Sequence, residues 1–177
     1  MSTLTTILTR TSYRGKYDPA PIPREHLQQL LEAGLAAPSG CNKQTTNLIA
    51  VDDPDLLQKL NALTDSRIGR TAPAMILVLT RRIIAYRDRT FFVQDYAAAI
   101  ENILLAAVSL GYESCWVEGH ITDVDNIGRK MADVLGVPEE YELVCYLPIG
   151  KAIEKTQKPV KQAFAERAWF NGFHKPE

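Results

Sequence analysis

The chain has 177 residues, which suits a single domain with a sizeable core. A formal net charge of −1 gives no broad electrostatic attraction to nucleic acid or to an anionic membrane. Three widely spaced cysteines, Cys41, Cys115 and Cys145, make neither a disulfide framework nor a zinc pattern. The Met-Ser-Thr-Leu-Thr-Thr start lacks a charged leader ahead of an apolar run, and no apolar stretch is long enough to span a bilayer. The expected compartment is therefore the reducing cytoplasm.

Up to Tyr17 the chain is basic and rich in hydroxyls. Pro19, Pro21 and Pro23 predict an extended approach to a helix over Arg24 to Ala36, with Leu27, Leu30, Leu31 and Leu35 as its apolar stripe. Pro38-Ser39-Gly40 ends it. Asn47 to Val51 reads as a strand, and Pro54 to Leu63 as a short helix with proline at its start. The unbroken apolar run in Ala74 to Thr80 predicts a strand buried on both faces. Asp95 to Leu110 is the strongest helix, and it leaves almost no polar face, so it should be buried on most sides, as a central helix or a subunit interface. Gly111 suits its C-terminal stop. Ser114 to Val117 reads as a strand. Thr122 and Asp125 have capping-box spacing before a helix carrying Ile127, Met131, Val134 and Leu135, which Gly136 and Pro138 close. Leu143 to Ile149 is a further strand, followed by a tail that is basic, then aromatic (Phe164, Trp169, Phe170, Phe173). This alternation implies an α/β or α+β class, and the missing Gly-x-Gly-x-x-Gly argues against a regular dinucleotide fold.

Four segments carry groups able to do chemistry. In Arg10-Thr11-Ser12-Tyr13-Arg14, two guanidinium groups and two hydroxyls lie within five residues, and an extended backbone points positions 10, 12 and 14 to one side. That reads either as an anion clamp or as a solvated basic stretch. Pro38-Ser39-Gly40-Cys41-Asn42-Lys43-Gln44 combines small residues, which admit a planar ligand close to the backbone, with amides that can read a heterocycle edge; its plain alternative is a helix-ending turn. Cys41 is taken there as a small packing residue. Glu118, Gly119 and His120 leave the end of a strand, a common ligand position, though nothing pairs with Glu118 locally in sequence. Lys151, Lys155, Lys158 and Lys161 form either a solvated face or a second arm of the clamp. Arg67 and Arg70 are further anion candidates. No metal-ligand cluster, phosphate-binding P-loop or Gly-x-Ser-x-Gly elbow is present in the sequence.

The order of these pieces is more specific than any one of them. Arg10-x-Ser12-x-Arg14, then a helix into Ala37-Pro38-Ser39-Gly40-x-Asn42-x-Gln44, resembles the N-terminal half of the nitroreductase family. Asp95-x4-Ile100-Glu101-Asn102-Ile103-Leu104-Leu105-Ala106-Ala107-x-Ser109-Leu110-Gly111 is similar to that family's long central helix. Ser114-Cys115-Trp116-Val117-Glu118-Gly119, Leu135-Gly136-Val137-Pro138 and Ile149-Gly150 follow in family order, so the resemblance spans nearly the whole chain.

The resemblance implies one α+β domain over residues 1–177, a central mostly antiparallel sheet flanked by helices, assembled as an intertwined homodimer with FMN at the interface. It implies that Arg10, Thr11 and Ser12 hold the FMN phosphate, with Lys155 and Lys158 closing over it. Arg14 would sit at the N1 and O2 edge of the flavin. Pro38, Ser39, Gly40 and Asn42 would reach the partner's flavin ring, and Glu118 and Gly119 would place a backbone N–H near N5. The implied activity is FMN-dependent reduction of nitroaromatics, quinones or similar electron-poor small molecules by NADH or NADPH in a ping-pong cycle, with the flavin rather than a side chain carrying the chemistry. Alternatives are a flavin-binding or sensing module with little turnover, or a branch given to reductive dehalogenation or flavin-dependent dehydrogenation. One departure stands out: many family members continue the Asn-x-Gln motif with Pro-Trp, where this chain has Thr45-Thr46.

Overall fold

The protein is described from a computed structural model, which covers residues 2–119, 121, 124–156 and 158–173. Among the described residues six α-helices, α1 (Thr3–Thr9), α2 (Arg24–Leu35), α3 (Pro54–Ala62), α4 (Phe92–Ser109), α5 (Ile127–Val134) and α6 (Phe164–Arg167), accompany two sheets. The main sheet is antiparallel throughout, in the order β1 (Thr46–Val51), β2 (Ala74–Thr80), β6 (Glu142–Gly150), β5 (Glu113–Ser114). A separate hairpin joins β3 (Ile84–Tyr86) to β4 (Arg89–Thr90). The architecture is the α+β sheet flanked by helices that the resemblance implied.

The apolar run in β2 is explained by position. Every residue from Ala74 to Thr80 is buried, because β1 and β6 pair with β2 on its two sides and helices cover both faces. Strand alternation divides it. Ala74, Ile76 and Val78 join Leu27, Leu30, Ile100 and Ile103 of α2 and α4 on one face. Met75, Leu77 and Leu79 join Leu57 and Leu60 of α3 and Met131 of α5 on the other. Two cores therefore sandwich one sheet, and the sheet fixes which helix ends lie near which strand ends.

The helix α4 begins three residues earlier than its sequence pattern suggested, so Asp95 lies inside its first turn instead of opening it. The expectation of burial on most sides is met on one face only. Asp95, Tyr96, Ala99, Ile100, Ile103, Leu104 and Ala107 are buried, whereas Ala97, Ala98, Leu105, Ala106 and Val108 are only half-buried within one chain.

The strand expected over 114–117 is shorter. Its ladder covers Glu113 and Ser114 and resumes only as a bridge between Val117 and Tyr146. Tyr146 donates toward Val117 at 3.1 Å, and by alternation Pro148 faces the same neighbour. Proline has no N–H to donate there, so pairing lapses at Cys115 and Trp116. The helix predicted after Thr122 starts at Ile127, whose N–H is met by the Asp125 side chain at 3.2 Å; Thr122 lies outside the described residues.

Candidate functional site

The first segment is a short extended strip. Helix α1, capped by the Ser2 side chain, ends at Thr9, and Arg10 leaves it in an extended conformation. The Tyr13 N–H then donates to the Ser114 carbonyl at 2.9 Å, tying the strip to the edge of β5. Burial alternates along it. Thr11 and Tyr13 turn inward, Arg10 and Ser12 are half-buried, and Arg14 is exposed. Arg10, Thr11, Ser12 and Arg14 line a cavity of about 500 Å³ together with Lys158 and Lys161 from the tail. Among the described residues the charged lining is entirely cationic, and each of these side chains has a donor to offer an anion. Arg10 also pairs through Nε with Glu101 on α4 at 3.2 Å, which fixes the guanidinium while leaving its outer nitrogens. Tail residues and the N-terminal strip thus meet as expected, but Lys161 stands beside Lys158, and the exposed Lys155 lies outside this lining.

Below the strip, Cys115 is buried. Burial pushes its thiol up, against the opposing pull of Arg14, the Ser12 hydroxyl and Arg10. A neutral, enclosed thiol is a packing group, not a nucleophile. Burial likewise raises the Glu113 carboxyl against the pull of Arg10.

The second segment behaves differently. After Ser39, residues Gly40–Asn42 make a single tight turn, and Cys41, Asn42 and Gln44 all take left-handed backbone angles, with φ of 49°, 53° and 48°. Non-glycine residues adopt this region at a cost, so neighbouring contacts must hold the loop. The Ser39 hydroxyl accepts from the Gln44 N–H at 2.9 Å. The buried Asp95 carboxylate accepts from the Gly40 N–H at 2.8 Å and from the Thr45 hydroxyl at 2.7 Å. Gly40 also lies against Phe91, where a Cβ would meet ring and Cβ atoms at 2.6 and 2.8 Å, so this close approach admits only glycine unless Phe91 shifts. Cys41 is exposed, which corrects its reading as a packing residue: the left-handed turn carries its side chain outward. Pro38 and Ser39 line a smaller cavity of about 200 Å³ with Gln44 and Asp95. This cavity and the cationic one share no residue within one chain.

The third segment leaves the Val117–Tyr146 bridge. Glu118 does have partners. Its Oε1 accepts from the Tyr96 hydroxyl at 3.0 Å and its Oε2 from the Trp116 indole N–H at 2.9 Å. The Trp116 contact is only two residues away in sequence; the Tyr96 contact needed the fold. Tyr96 is pushed up to about 12, first by burial and then by its hydrogen bond to Glu118, so it remains a donor at any ordinary pH. Both carboxylate oxygens are engaged, which orients the turn into Gly119, where a Cβ would meet open space. Glu118 and Tyr96 also line a cavity of about 700 Å³ with Phe92, Tyr141 and the ion-paired Arg82 and Glu142. His120 lies outside the described residues.

Arg70 is turned to its own loop, donating to the Ser66 and Thr64 carbonyls at 2.9 and 3.0 Å, and Arg67 is exposed. Neither lines the cationic cavity. Asp95 was read from sequence only as a helix residue. Its signal was a lone carboxylate in the first turn of an otherwise apolar helix, a group that seldom goes buried without a partner. Among the described residues no helix is long and apolar enough to cross a membrane.

Comparison with known proteins identifies the family. The family model described as "Nitroreductase family" matches residues 7–68 and 62–151. A protein of Archaeoglobus fulgidus, provisionally named an NADH dehydrogenase/NAD(P)H nitroreductase, is 32% identical over 145 residues, 81% of this chain and 82% of its own length. The Bacillus subtilis FMN reductase [NAD(P)H] is 30% identical over 111 residues, 59% of this chain and 45% of the relative. The crystal structure of a nitroreductase with bound FMN from Bacteroides fragilis superimposes with a TM-score of 0.76 at 29% identity, covering 96% of this chain and 98% of that one. With most of its length matched by the family model, and its sheet and helices superimposing on a solved member, the chain belongs to the nitroreductase family.

Proposed function

We propose that the chain is an FMN-dependent NAD(P)H oxidoreductase, a single FMN-binding domain that works as a homodimer and reduces small electron-poor acceptors such as nitroaromatics or quinones. The observation that carries this reading is the cationic cavity, where Arg10, Ser12, Arg14, Lys158 and Lys161 offer donors to one anion. That donor set fits a phosphate monoester, because guanidinium and ammonium groups give it charge-assisted hydrogen bonds. Relatives named for FMN reduction and for nitroreduction support the same cofactor.

Bound FMN would supply the redox chemistry, accepting a hydride from NADH or NADPH and passing it to an acceptor in ping-pong order. The chain supplies position and charge. Arg10 and Ser12 hold the phosphate, with Thr11 behind them and Lys158 and Lys161 across the cavity; Lys155 lies further out, where the phosphate's field would still attract it. Arg14 stands nearest the ring and offers a fixed cation to negative charge on the reduced cofactor. Glu118, held by Tyr96 and Trp116, sets the backbone at Gly119 so that its N–H faces the ring. Pro38, Ser39, Gly40 and Asn42 serve the flavin of the partner. The separate cavities within one chain and the half-buried apolar face of α4 both favour that shared arrangement.

The visible spectrum of the purified protein tests this, with and without added FMN, followed by anaerobic NADH or NADPH. Oxidised-flavin bands that bleach are expected. A protein that stays colourless and takes up no FMN would overturn the proposal.

A further inference from the structure

The structure assigns to the Thr45 hydroxyl and the Asp95 carboxylate a clasp that fixes the Pro38–Gln44 loop in the shape it presents to the cofactor, in place of the Pro-Trp pair that many family members carry after their Asn-x-Gln motif. This rests on the flavin reading above. Thr45 and Asp95 are positioning residues.

Asp95 is anchored in the first turn of α4, and its two oxygens take one donor from each end of the loop, the Gly40 N–H at 2.8 Å and the Thr45 hydroxyl at 2.7 Å. The donor Thr45 and the acceptor Asp95 are both buried, to 1% and 5% residual exposure, so water does not compete for the bond between them. Between these anchors lie three non-glycine residues in left-handed conformation, Cys41, Asn42 and Gln44. Gln44 is the informative one. A proline at 45 would push its predecessor toward extended angles, with φ near −120°. Gln44 has φ of 48°. The loop shape of this chain is thus incompatible with the proline, and it needs a residue at 45 that both tolerates a left-handed predecessor and ties the loop down. A threonine hydroxyl donating to a buried carboxylate does both. Ser39 adds an inner brace by accepting from the Gln44 N–H.

The test compares Thr45→Val, which keeps shape and removes the donor, with Thr45→Ser, which keeps the donor, in the full-length protein. Amide hydrogen exchange is measured without FMN, and FMN affinity is then measured by fluorescence titration. In Thr45→Val, exchange across residues 40–45 should accelerate at least tenfold while β2 and β6 are unchanged, and FMN should bind five- to twentyfold more weakly. Thr45→Ser should return both to within about twofold of the unaltered protein. Unchanged exchange in Thr45→Val, or a serine variant indistinguishable from valine, would overturn the clasp. Faster exchange with unaltered FMN affinity would overturn its positioning role. If the unaltered protein binds no FMN, the flavin reading fails and takes the loop's assigned role with it, whereas the exchange comparison still decides whether the hydroxyl sets the loop.

Discussion

The strip at residues 10–14 and the loop at residues 38–45 are both short, polar and free of regular structure, yet they use their polar groups in opposite ways. The strip ties its backbone to the sheet through the Tyr13 N–H and the Ser114 carbonyl, and leaves guanidinium and hydroxyl groups facing a cavity. The loop spends the Ser39 hydroxyl and the Gly40 and Gln44 N–H groups on itself and on Asp95, and what it turns outward is a left-handed turn with Cys41, Asn42, Lys43 and Gln44 on its surface. The first is built to meet a charge and the second to meet a surface. Salt should therefore weaken whatever the strip does and barely touch what holds the loop, because exposed cations are screened whereas the bond between the buried Thr45 and Asp95 is not.

The sharpest way to break that comparison is to strip the charge from one side. The double variant Arg10→Ala with Arg14→Ala should lose about 100-fold or more in FMN affinity, at about 1.5–3 kcal/mol for each charge-assisted contact, with the thermal midpoint little changed. Titration of the apoprotein at two salt concentrations measures it, and an unaltered dissociation constant removes both residues from the site. Gly40→Ala attacks the other side. Its new methyl meets Phe91, so global stability should fall by about 1–3 kcal/mol in urea unfolding. A loss below about 0.3 kcal/mol would mean Phe91 gives way freely. Ser39→Ala, which leaves the Gln44 N–H without its acceptor, should cost about 1 kcal/mol by the same method, and its FMN affinity should stay salt-dependent to the unaltered degree.

The smallest effect near neutral pH concerns the tyrosines under both regions. Burial raises Tyr17, Tyr96, Tyr112 and Tyr146 above the ordinary phenol value. A raised folded value means the native state keeps protons that the unfolded chain releases. The corresponding stability is complete below about pH 10 and declines as pH climbs through the folded values, for Tyr96 toward about 12. Urea midpoints should be flat from pH 7 to about 8, begin to fall as the unfolded chain's counterparts of the buried Cys115 and Cys145 thiols ionise, and fall further above 10; a rise there would contradict burial as the cause.

Legibility in the sequence followed the same division between periodic and cooperative features. The bounds of helix α2 and strand β2 were readable nearly to the residue, because apolar spacing is a local record of which face is buried, although Leu35 of the expected α2 stripe is 60% exposed within one chain. The alternation of Arg10, Ser12 and Arg14 was readable for the same reason. Helix α1 was missed, although Ser2 caps it and Leu4, Ile7 and Leu8 have helical spacing; its threonines favour other conformations. The β3–β4 hairpin was missed because its turn uses Arg87 and Asp88 at φ of 45° and 59°, where Asn-Gly would have announced it. The Asp95 clasp and the Tyr96–Glu118 contact span fifty and twenty-two residues, and no local pattern encodes a bond between α4 and a distant loop. The Pro38–Gln44 stretch was recognised by resemblance, but its left-handed shape depends on those remote partners.

The pleat of the N-terminal strip carries a last consequence, for the kinds of change this segment can survive. Its guanidinium groups stay on the cavity side because the buried Tyr13 occupies the opposite phase, tied through its N–H to the Ser114 carbonyl. Exchanging one side chain alters one contact. Inserting or deleting a single residue between Arg10 and the Tyr13 anchor reverses the phase, sending a guanidinium toward the core and a buried ring or hydroxyl into the open. Length, more than identity, is the quantity this stretch must keep.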